Sequence, residues 1–211
     1  AIYIIRVLRP VFCTADPSRK TRMSVKPIRE FHGKQIVAKH LASFWPGGNE
    51  FAASRAVLIT KEVTDPSNPS ITFDTLAQEH PWLLTDKLVV KPDQLIKRRG
   101  KSGLLGLNKS YAECQEWIME RMLKECKVQA VTGLLDTFIV EPMVPHEQSD
   151  EYYVCIQSHR GHDEILFHHE GGVDVGDVDT KAARLQVPVG DELTPEAAAA
   201  ALLAKVPPAR R

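Results

Sequence analysis

A lysine, a cluster of cations and three glycines follow one another in residues 88–108, "LVVKPDQLIKRRGKSGLLGLN". An apolar stretch ends at Lys91, a basic cluster follows, and the glycines are Gly100, Gly103 and Gly106. Glycine lets backbone N–H groups approach an anion closely, and lysine and arginine supply the charges and donors that match phosphate oxygens. The segment therefore has two interpretations, a loop that closes over phosphates or a solvated hairpin, and composition leaves both open.

Two common phosphate-binding motifs are excluded in this segment. The P-loop pattern requires a glycine four intervening residues before Gly100-Lys101-Ser102, and this sequence has Leu95 there. The dinucleotide-binding pattern is excluded because the glycines are spaced three apart and no predicted helix begins among them. What remains is a strand that ends in Lys91, a basic turn and a glycine-rich return.

A second stretch, "FIVEPMVPHEQSDEYYV" at 138–154, interrupts a strand with Pro142 and Pro145. Backbone groups beside such prolines cannot join a regular ladder, and next to apolar side chains they can hydrogen-bond the edge of an adenine. Glu151 follows and can accept hydrogen bonds from ribose hydroxyls. The alternative interpretation is a kinked edge strand with a surface carboxylate.

The third stretch, "HHEGGVDVGDVD" at 168–179, contains clustered histidines and aspartates. The EF-hand pattern fails, because Gly176 and Val178 stand after Asp174 where Asp or Asn is required. No pair of histidines has the H-E-x-x-H spacing of a zinc site. We therefore predict a tight acidic turn at the rim of an active site and assign no metal ligand.

The elements that must position these residues alternate along the chain. Apolar residues at helical spacing predict helices, and apolar runs bounded by turn residues predict strands. The predicted strands are 56–60, 87–91, 136–144, 151–158 and 164–170. The predicted helices are 24–44, 72–80 (ended by Pro81), 110–126 and 193–205. This alternation, without internal repeats, is typical of an α/β or α+β fold.

The clearest predicted helix is 110–126. Its apolar stripe predicts a core-facing helix without a cofactor, and consists of Tyr111, Cys114, Trp117, Ile118, Met122 and Leu123. Glu120 and Lys124 have the i,i+4 spacing of an ion pair. In the last helix, Thr194 is the predicted N-cap and Pro195 the first helical residue.

Bulk composition excludes some classes of function. The 211 residues contain 27 Lys and Arg against 27 Asp and Glu, which argues against binding to nucleic acid or to a membrane surface. No apolar run approaches the ~20 residues that a membrane span needs. The cysteines are far apart, as expected for free thiols in a reducing compartment such as the cytoplasm; they are Cys13, Cys114, Cys126 and Cys155.

Both ends of the sequence are unusual. Residues 1–22, "AIYIIRVLRPVFCTADPSRKTR", precede Met23 and lack the order of a signal peptide. We expect them to be a leader or translated upstream sequence. Because the other end stops at "KVPPARR" directly after a predicted helix, we expect the chain to be a piece of a longer protein.

The motifs together resemble the ATP-grasp region of the ATP-citrate lyase family. The resemblance covers about residues 23–205 and is strongest in 80–181. Its motifs are "HPWLL", "LVVKPDQLIKRRGK", "EPMVPH", "YYVCI" and "LFHHEGGVDVGDVD". More distantly, the "RGK-x-G" turn and "EGG" resemble the β subunit of succinyl-CoA synthetase.

The resemblance implies an ATP-grasp domain over 23–211, in which two α/β lobes hold ATP between them. The smaller lobe would comprise about 56–136. The motifs assign Lys91 to a phosphate and Arg99 with Gly100 to the loop over the phosphates. They assign backbone groups of Pro142 and Val144 to adenine, and Glu151 to the ribose.

In that family, ATP phosphorylates a histidine, the phosphoryl group passes to citrate, and CoA then yields acetyl-CoA and oxaloacetate. The resemblance implies a cytoplasmic homotetramer whose Mg²⁺ ligands follow residue 211, as do the phosphohistidine, citrate and CoA sites. We therefore assign no catalytic residue to this sequence and expect it to supply nucleotide binding only. The alternatives are a subunit of another ATP-grasp acyl-CoA synthetase, such as succinyl-CoA synthetase, and a non-catalytic, truncated ATP-binding protein.

Overall fold

The computed structural model divides the chain into two units. Unit 1 contains residues 1–28 and 146–211, and unit 2 contains residues 29–145. The predicted smaller lobe of about 56–136 lies inside unit 2. The structure describes the backbone of residues 3–7, and backbone and side chains in 28–41, 43, 55–96, 99–128, 131–172 and 178–208.

Unit 2 is built on an antiparallel four-stranded sheet with the order β2-β7-β3-β4. Its strands are β2 (Val57–Thr60), β3 (Leu88–Pro92), β4 (Gly106–Lys109) and β7 (Thr137–Pro142). A separate hairpin pairs β5 (Glu125–Val128) with β6 (Val131–Leu134). The helices are α1 (Glu30–Leu41), α2 (Phe73–Glu79), α3 (Trp82–Thr85) and α4 (Tyr111–Met119).

The central strand β7 decides which side chains enter the core of unit 2. All six of its residues are buried, and successive side chains of a strand point to opposite faces. Phe138 and Val140 face the apolar core, where the rings of Phe138 and Trp117 meet edge to face at 5.8 Å. Thr137 and Glu141 therefore lie on the other face. There Thr137 accepts a hydrogen bond from Arg29, just before α1, and Glu141 accepts one from Lys34 in α1.

Local sequence explains where two helices of unit 2 begin. The Ser110 hydroxyl accepts from the Glu113 N–H at 3.4 Å, and the Glu113 carboxylate accepts from the Ser110 N–H at 2.7 Å. Thr72 and Thr75 make the same reciprocal cap at the start of α2. Such capping boxes satisfy N–H groups that the first helical turn leaves unpaired.

The prediction of a helix over 110–126 is wrong at its C-terminal end. Helix α4 ends at Met119, and Leu123 has a φ of 57°, in the left-handed region that stops a helix. Leu123 is 51% exposed, so it does not continue the buried stripe. The predicted partner of Lys124, Glu120, instead lies 2.8 Å from Arg121. Met122 is buried in the turn that follows α4, and the next apolar residues, Cys126 and Val128, lie on β5.

Unit 1 contains a second four-stranded sheet, with the order β1-β8-β9-β10. Strand β1 pairs with β8 in parallel, and the other neighbours are antiparallel. The strands are β1 (Tyr3–Val7), β8 (Tyr152–Ser158), β9 (His162–His168) and β10 (Ala183–Pro188). The helices are α5 (Val178–Lys181) and α6 (Pro195–Leu202). Its small core contains Tyr153, Cys155, Leu166, Val178 and Ala182.

Most sequence-based elements are present, with shifted ends. The five predicted strands correspond to β2, β3, β7, β8 and β9, and Thr194 caps α6 as predicted by accepting from the Ala197 N–H at 3.2 Å. Helix α1 is shorter than 24–44 but passes through Gly33 without a break. Sequence reasoning missed β1, α3, β4, the β5–β6 hairpin, α5 and β10. The turn at 45–50 and residues 173–177 of the acidic turn lie outside the described residues.

Candidate functional site

Lys91 lies on β3 with its side chain on the sheet face opposite the apolar core. The residue is 8% exposed. Its Nζ lies 2.6 Å from Oε1 of Glu141 and 2.7 Å from Oε1 of Glu30. Glu141 reaches Lys91 diagonally across the β3–β7 pair, because Lys91 is in register with Ile139. The predicted phosphate-binding lysine is therefore held between two carboxylates.

Arg99 points back towards the end of β3 from the loop that joins β3 to β4. Its Nη1 donates to the carbonyl of Pro92 at 2.8 Å, and its Nη2 forms an ion pair with Glu30. Gly100 begins a short 3-10 turn, and Gly103 closes it with a φ of 67°. Topologically the segment is a hairpin loop, yet Arg99 is turned inward and only partly exposed. Lys97 and Arg98 lie outside the described residues.

Lys34 completes a group of five charged side chains, called here the ionic cluster: Glu30, Lys34, Lys91, Arg99 and Glu141. Lys34 lies one helical turn after Glu30, at 2.9 Å from its Oε1, and also donates to Glu141. The cluster contains three cations and two carboxylates, and each of its side chains is less than a quarter exposed. The ionic cluster joins α1 to the sheet face of unit 2 that lies opposite the apolar core.

The cluster keeps its carboxylates ionised. Burial by itself raises the pKa of Glu30, but Lys91, Lys34 and Arg99 together lower that pKa well below its ordinary value of 4.5. Glu141 follows the same pattern. Burial raises its pKa, but Lys91 and Lys34 lower it further, so the pKa of Glu141 lies below 4.5. Burial lowers the pKa of Lys34, whereas Glu30 and Glu141 raise it above 10.5 overall.

These shifts predict how stability depends on pH. A carboxylate with a depressed folded-state pKa contributes stability above its unfolded pKa, and this contribution is lost as the pH falls through the folded value. For Glu141 the loss begins below about pH 4.5. We expect Glu141→Gln to lower the free energy of urea unfolding by about 2 kcal/mol at pH 7, because a charged buried partner is lost. The difference from the unmodified chain should shrink between pH 5 and pH 3.

The exposed Glu116 on α4 provides the matched control. Glu116→Gln removes the same charge outside the cluster and should keep both the stability and the pH profile of the unmodified chain. If Glu141→Gln loses stability equally at pH 7 and pH 3, the effect comes from packing, and the electrostatic assignment of Glu141 is wrong.

The segment assigned to adenine begins where β7 ends. Pro142 is buried and in register with Leu88 in the sheet, and the next N–H, of Met143, donates to the carbonyl of Lys87 at 2.7 Å. Residues 143–147 form no regular element, and Val144 is partly exposed. Because β7 lies between β2 and β3, the alternative interpretation of an edge strand is wrong for this strand.

Glu151 lies in unit 1, just before β8, and its carboxylate is held on two sides. Oε1 is 2.9 Å from Nε2 of His146, and both side chains are 18% exposed. On the other side lies Gly172, whose φ is 97°; a Cβ added there would meet Oε2 at 2.0 Å. The Gly171 N–H also donates to the carbonyl of Glu151 at 2.9 Å. The two glycines of the "EGG" motif therefore pack around Glu151.

The structure brings Lys91 and Arg99 together at Glu30, with Gly100 directly beyond Arg99. Sequence reasoning missed three members of the cluster, Glu30, Lys34 and Glu141. Two signals were present: Glu30 and Lys34 have i,i+4 spacing in a predicted helix, and Glu141 is a charge inside the apolar strand "FIVEPMV". A buried charge is retained where it has a partner, but the sequence does not name the partner.

Two further observations concern only the described part of the chain. Within it, no three side chains among His, Cys, Asp and Glu converge as ligands for a metal ion. None of its helices combines the length and the apolar character required to cross a membrane. Cys114, Cys126 and Cys155 are free thiols.

Comparison with known proteins supports the resemblance drawn from the motifs. A family model described as "ATP-citrate synthase ATP-grasp domain" matches residues 24–211. ATP-citrate synthase of Bos taurus is 46% identical over 174 residues, which are 82% of this chain and 15% of that protein. Probable ATP-citrate synthase subunit 2 of Schizosaccharomyces pombe is 46% identical over 204 residues, covering 88% of this chain and 42% of that protein.

A solved structure leads to the same conclusion about the fold. ATP citrate lyase from Methanothrix soehngenii, in complex with citrate and coenzyme A, aligns with a TM-score of 0.60 at 34% identity. The alignment covers 76% of this chain and 34% of that one, so the chain spans less than half the length of these relatives. The predictions of an ATP-grasp fold and of membership in the ATP-citrate lyase (ATP-citrate synthase) family are confirmed. The chain belongs to the ATP-citrate synthase ATP-grasp domain family.

Proposed function

We propose that unit 2 binds the phosphates of ATP through Lys91 and Arg99, with Gly100 in the loop beside them. One observation supports this assignment most directly. The side-chain nitrogens of Lys91 and Arg99 converge on the two oxygens of a single carboxylate, that of Glu30. An anionic oxygen pair thus fits at this position, and phosphate oxygens have the same charge and accept the same hydrogen bonds.

Backbone groups of Pro142 and Val144 are the proposed partners of adenine. The end of regular pairing at Pro142, followed by an irregular segment, supports this assignment. Adenine recognition requires apolar surroundings and a few edge hydrogen bonds, which such a segment can supply.

Glu151 is the proposed partner of the ribose hydroxyls. The contacts of its carboxylate with His146 and the backbone at Gly172 support the assignment, because a carboxylate with a fixed orientation can accept hydrogen bonds at defined positions. When bound, ATP supplies the phosphoryl group. The residues of this chain bind and orient the nucleotide.

For the complete enzyme we propose the reaction of ATP-citrate lyase, in which ATP and CoA convert citrate to acetyl-CoA and oxaloacetate. The family membership and the partial coverage of the relatives support the proposal that this chain supplies one part of a longer enzyme. Mg²⁺, the CoA and citrate sites, the homotetramer and a cytoplasmic location belong to the same proposal. No described residue of this chain is assigned to Mg²⁺, to CoA or to citrate. Residues 1–22 precede the matched family region of 24–211, and their assignment as non-native sequence or an upstream leader stays a prediction, although Tyr3–Val7 pairs with β8 in the sheet of unit 1.

Titration of the chain with ATP tests the nucleotide site. A ligand present at 100 times its dissociation constant raises the free energy of unfolding by ~2.7 kcal/mol, which thermal unfolding detects. Arg99→Met should raise the dissociation constant of ATP on the order of tenfold, because one charge-assisted contact is lost. Arg160→Met, at an exposed position of unit 1, is the matched control and should bind ATP like the unmodified chain. If the folded, unmodified chain gains no stability from ATP, the proposed function is wrong.

A further inference from the structure

Glu30 is the one member of the ionic cluster that contacts all three cations. Its Oε1 lies 2.9 Å from Nζ of Lys34 and 2.7 Å from Nζ of Lys91, and its Oε2 pairs with Arg99. Lys91 and Arg99 are also the two side chains proposed to hold phosphate. The carboxylate of Glu30 therefore occupies the point at which both of these cations would receive phosphate oxygens.

The two carboxylates of the cluster differ in their freedom to leave it. Glu141 lies on the central strand β7, and its side chain is 11% exposed. Glu30 is the first residue of α1, and its side chain is 23% exposed. A carboxylate at the start of a helix is also stabilised by the unpaired N–H groups of the first turn. Glu30 therefore has the shorter path to water of the two carboxylates, and the phosphate that replaces it must supply the oxygens that Lys91 and Arg99 lose.

The position of Glu30 favours an exchange over simple addition. The two oxygens of Glu30 already lie against the side-chain nitrogens of Lys91 and Arg99. A phosphate that bound the same nitrogens would therefore lie within a few ångströms of a like charge, and the two would repel each other. If Glu30 leaves, Glu141 still holds Lys91 at 2.6 Å. Lys91 and Arg99 then keep their positions and lose only the anion that satisfied them.

We propose that Glu30 is a built-in competitor of the nucleotide, whose carboxylate holds Lys91 and Arg99 until a phosphate group of ATP displaces it. This inference rests on the proposed phosphate site and adds a regulatory contact to it. Glu30 stabilises the unit without nucleotide and sets the affinity for the nucleotide by the same contact.

The contact has a thermodynamic signature that a purely structural residue lacks. Glu30→Gln keeps the size of the side chain and removes its charge. We expect this variant to unfold at lower urea concentration without ligand, because three cations then face one carboxylate. We also expect its dissociation constants for ATP and for pyrophosphate to fall on the order of tenfold. A side chain that only supports the fold would weaken both stability and binding.

Isothermal titration calorimetry with ATP and with pyrophosphate measures the effect in the full chain, with Glu116→Gln as the charge-matched control. Glu30→Asp serves as a second variant that retains the charge and the helix start; its shorter side chain should give an affinity between those of the other two chains. The proposal is overturned if the unmodified chain binds ATP and both Glu30 variants bind it equally well or more weakly. Absence of ATP binding in every chain would instead refute the phosphate site itself.

Discussion

Lys91→Met is expected to lower the free energy of unfolding by about 3 kcal/mol and to abolish the stabilisation by ATP. The side chain of Lys91 is 11% exposed and lies within 2.7 Å of the carboxylates of both Glu30 and Glu141. Removal of Lys91 leaves two buried carboxylates with fewer cations. A buried charge without its partner is strongly destabilising. It also removes the cation proposed to hold a phosphate. Urea unfolding with and without ATP measures both effects.

A double variant separates the two roles of Lys91. Lys91→Met combined with Glu141→Gln removes the cation and one of its carboxylates together, so much of the lost stability should return. Stabilisation by ATP should not return, because the cation is still absent. Lys61→Met, at an exposed position in unit 2, is the matched control and should change neither quantity. If the double variant regains stabilisation by ATP, Lys91 does not contact the nucleotide.

Gly171→Ala is expected to destabilise the sheet of unit 1 by about 3 kcal/mol. A Cβ at this position would lie 2.5 Å from the carbonyl oxygen of Tyr152 and 2.7 Å from its nitrogen. These are backbone atoms of β8, so relief requires a shift of the strand itself and not of a flexible side chain. Loss of the close approach would also move the neighbouring Glu151, whose carbonyl accepts from the Gly171 N–H.

Hydrogen exchange of the β8 and β9 amides measures this effect, and 3 kcal/mol corresponds to a roughly hundredfold loss of protection. Gly161→Ala is the matched control, because a Cβ there would have no neighbour within 4 Å. It should leave protection nearly unchanged. Equal protection in Gly171→Ala and the unmodified chain would show that the strand accommodates the methyl group. The packing role assigned to Gly171 of the "EGG" motif would then be wrong.

The sequence and the structure agree best where a signal is local. The Thr194–Pro195 start of α6 depends on residues within one helical turn, and the structure confirms it. The predictions were wrong where local patterns conflict. After Met119 an apolar stripe continues, but Leu123 turns left-handed and its N–H donates to the carbonyl of Leu135 at 2.7 Å. A contact with a residue outside the helix thus overrides helical periodicity.

The candidate site shows the same division. Lys91, Arg99 and Gly100 were assigned to the phosphates through the resemblance of contiguous motifs, because the composition of the segment alone left a solvated hairpin open. Their contact with a nucleotide stays a prediction. Glu30, Lys34 and Glu141 were missed because their roles depend on distant partners: Lys34 and Glu141 are 107 positions apart along the chain. The sequence shows the type and spacing of these residues, but it does not show that their side chains contact one another in the folded chain.

The sequence by itself determined the family, the ATP-grasp fold and the basic turn with its glycines, because these follow from motifs of contiguous residues. Only the tertiary structure decided that Lys91 and Arg99 converge on Glu30 and that Gly171 packs on the backbone of Tyr152. The physical reason is that ion pairs and close backbone contacts act over a few ångströms in space. The pairing of β3 with β7 and of β8 with β9, together with the docking of α1, brings residues from distant parts of the chain within that range.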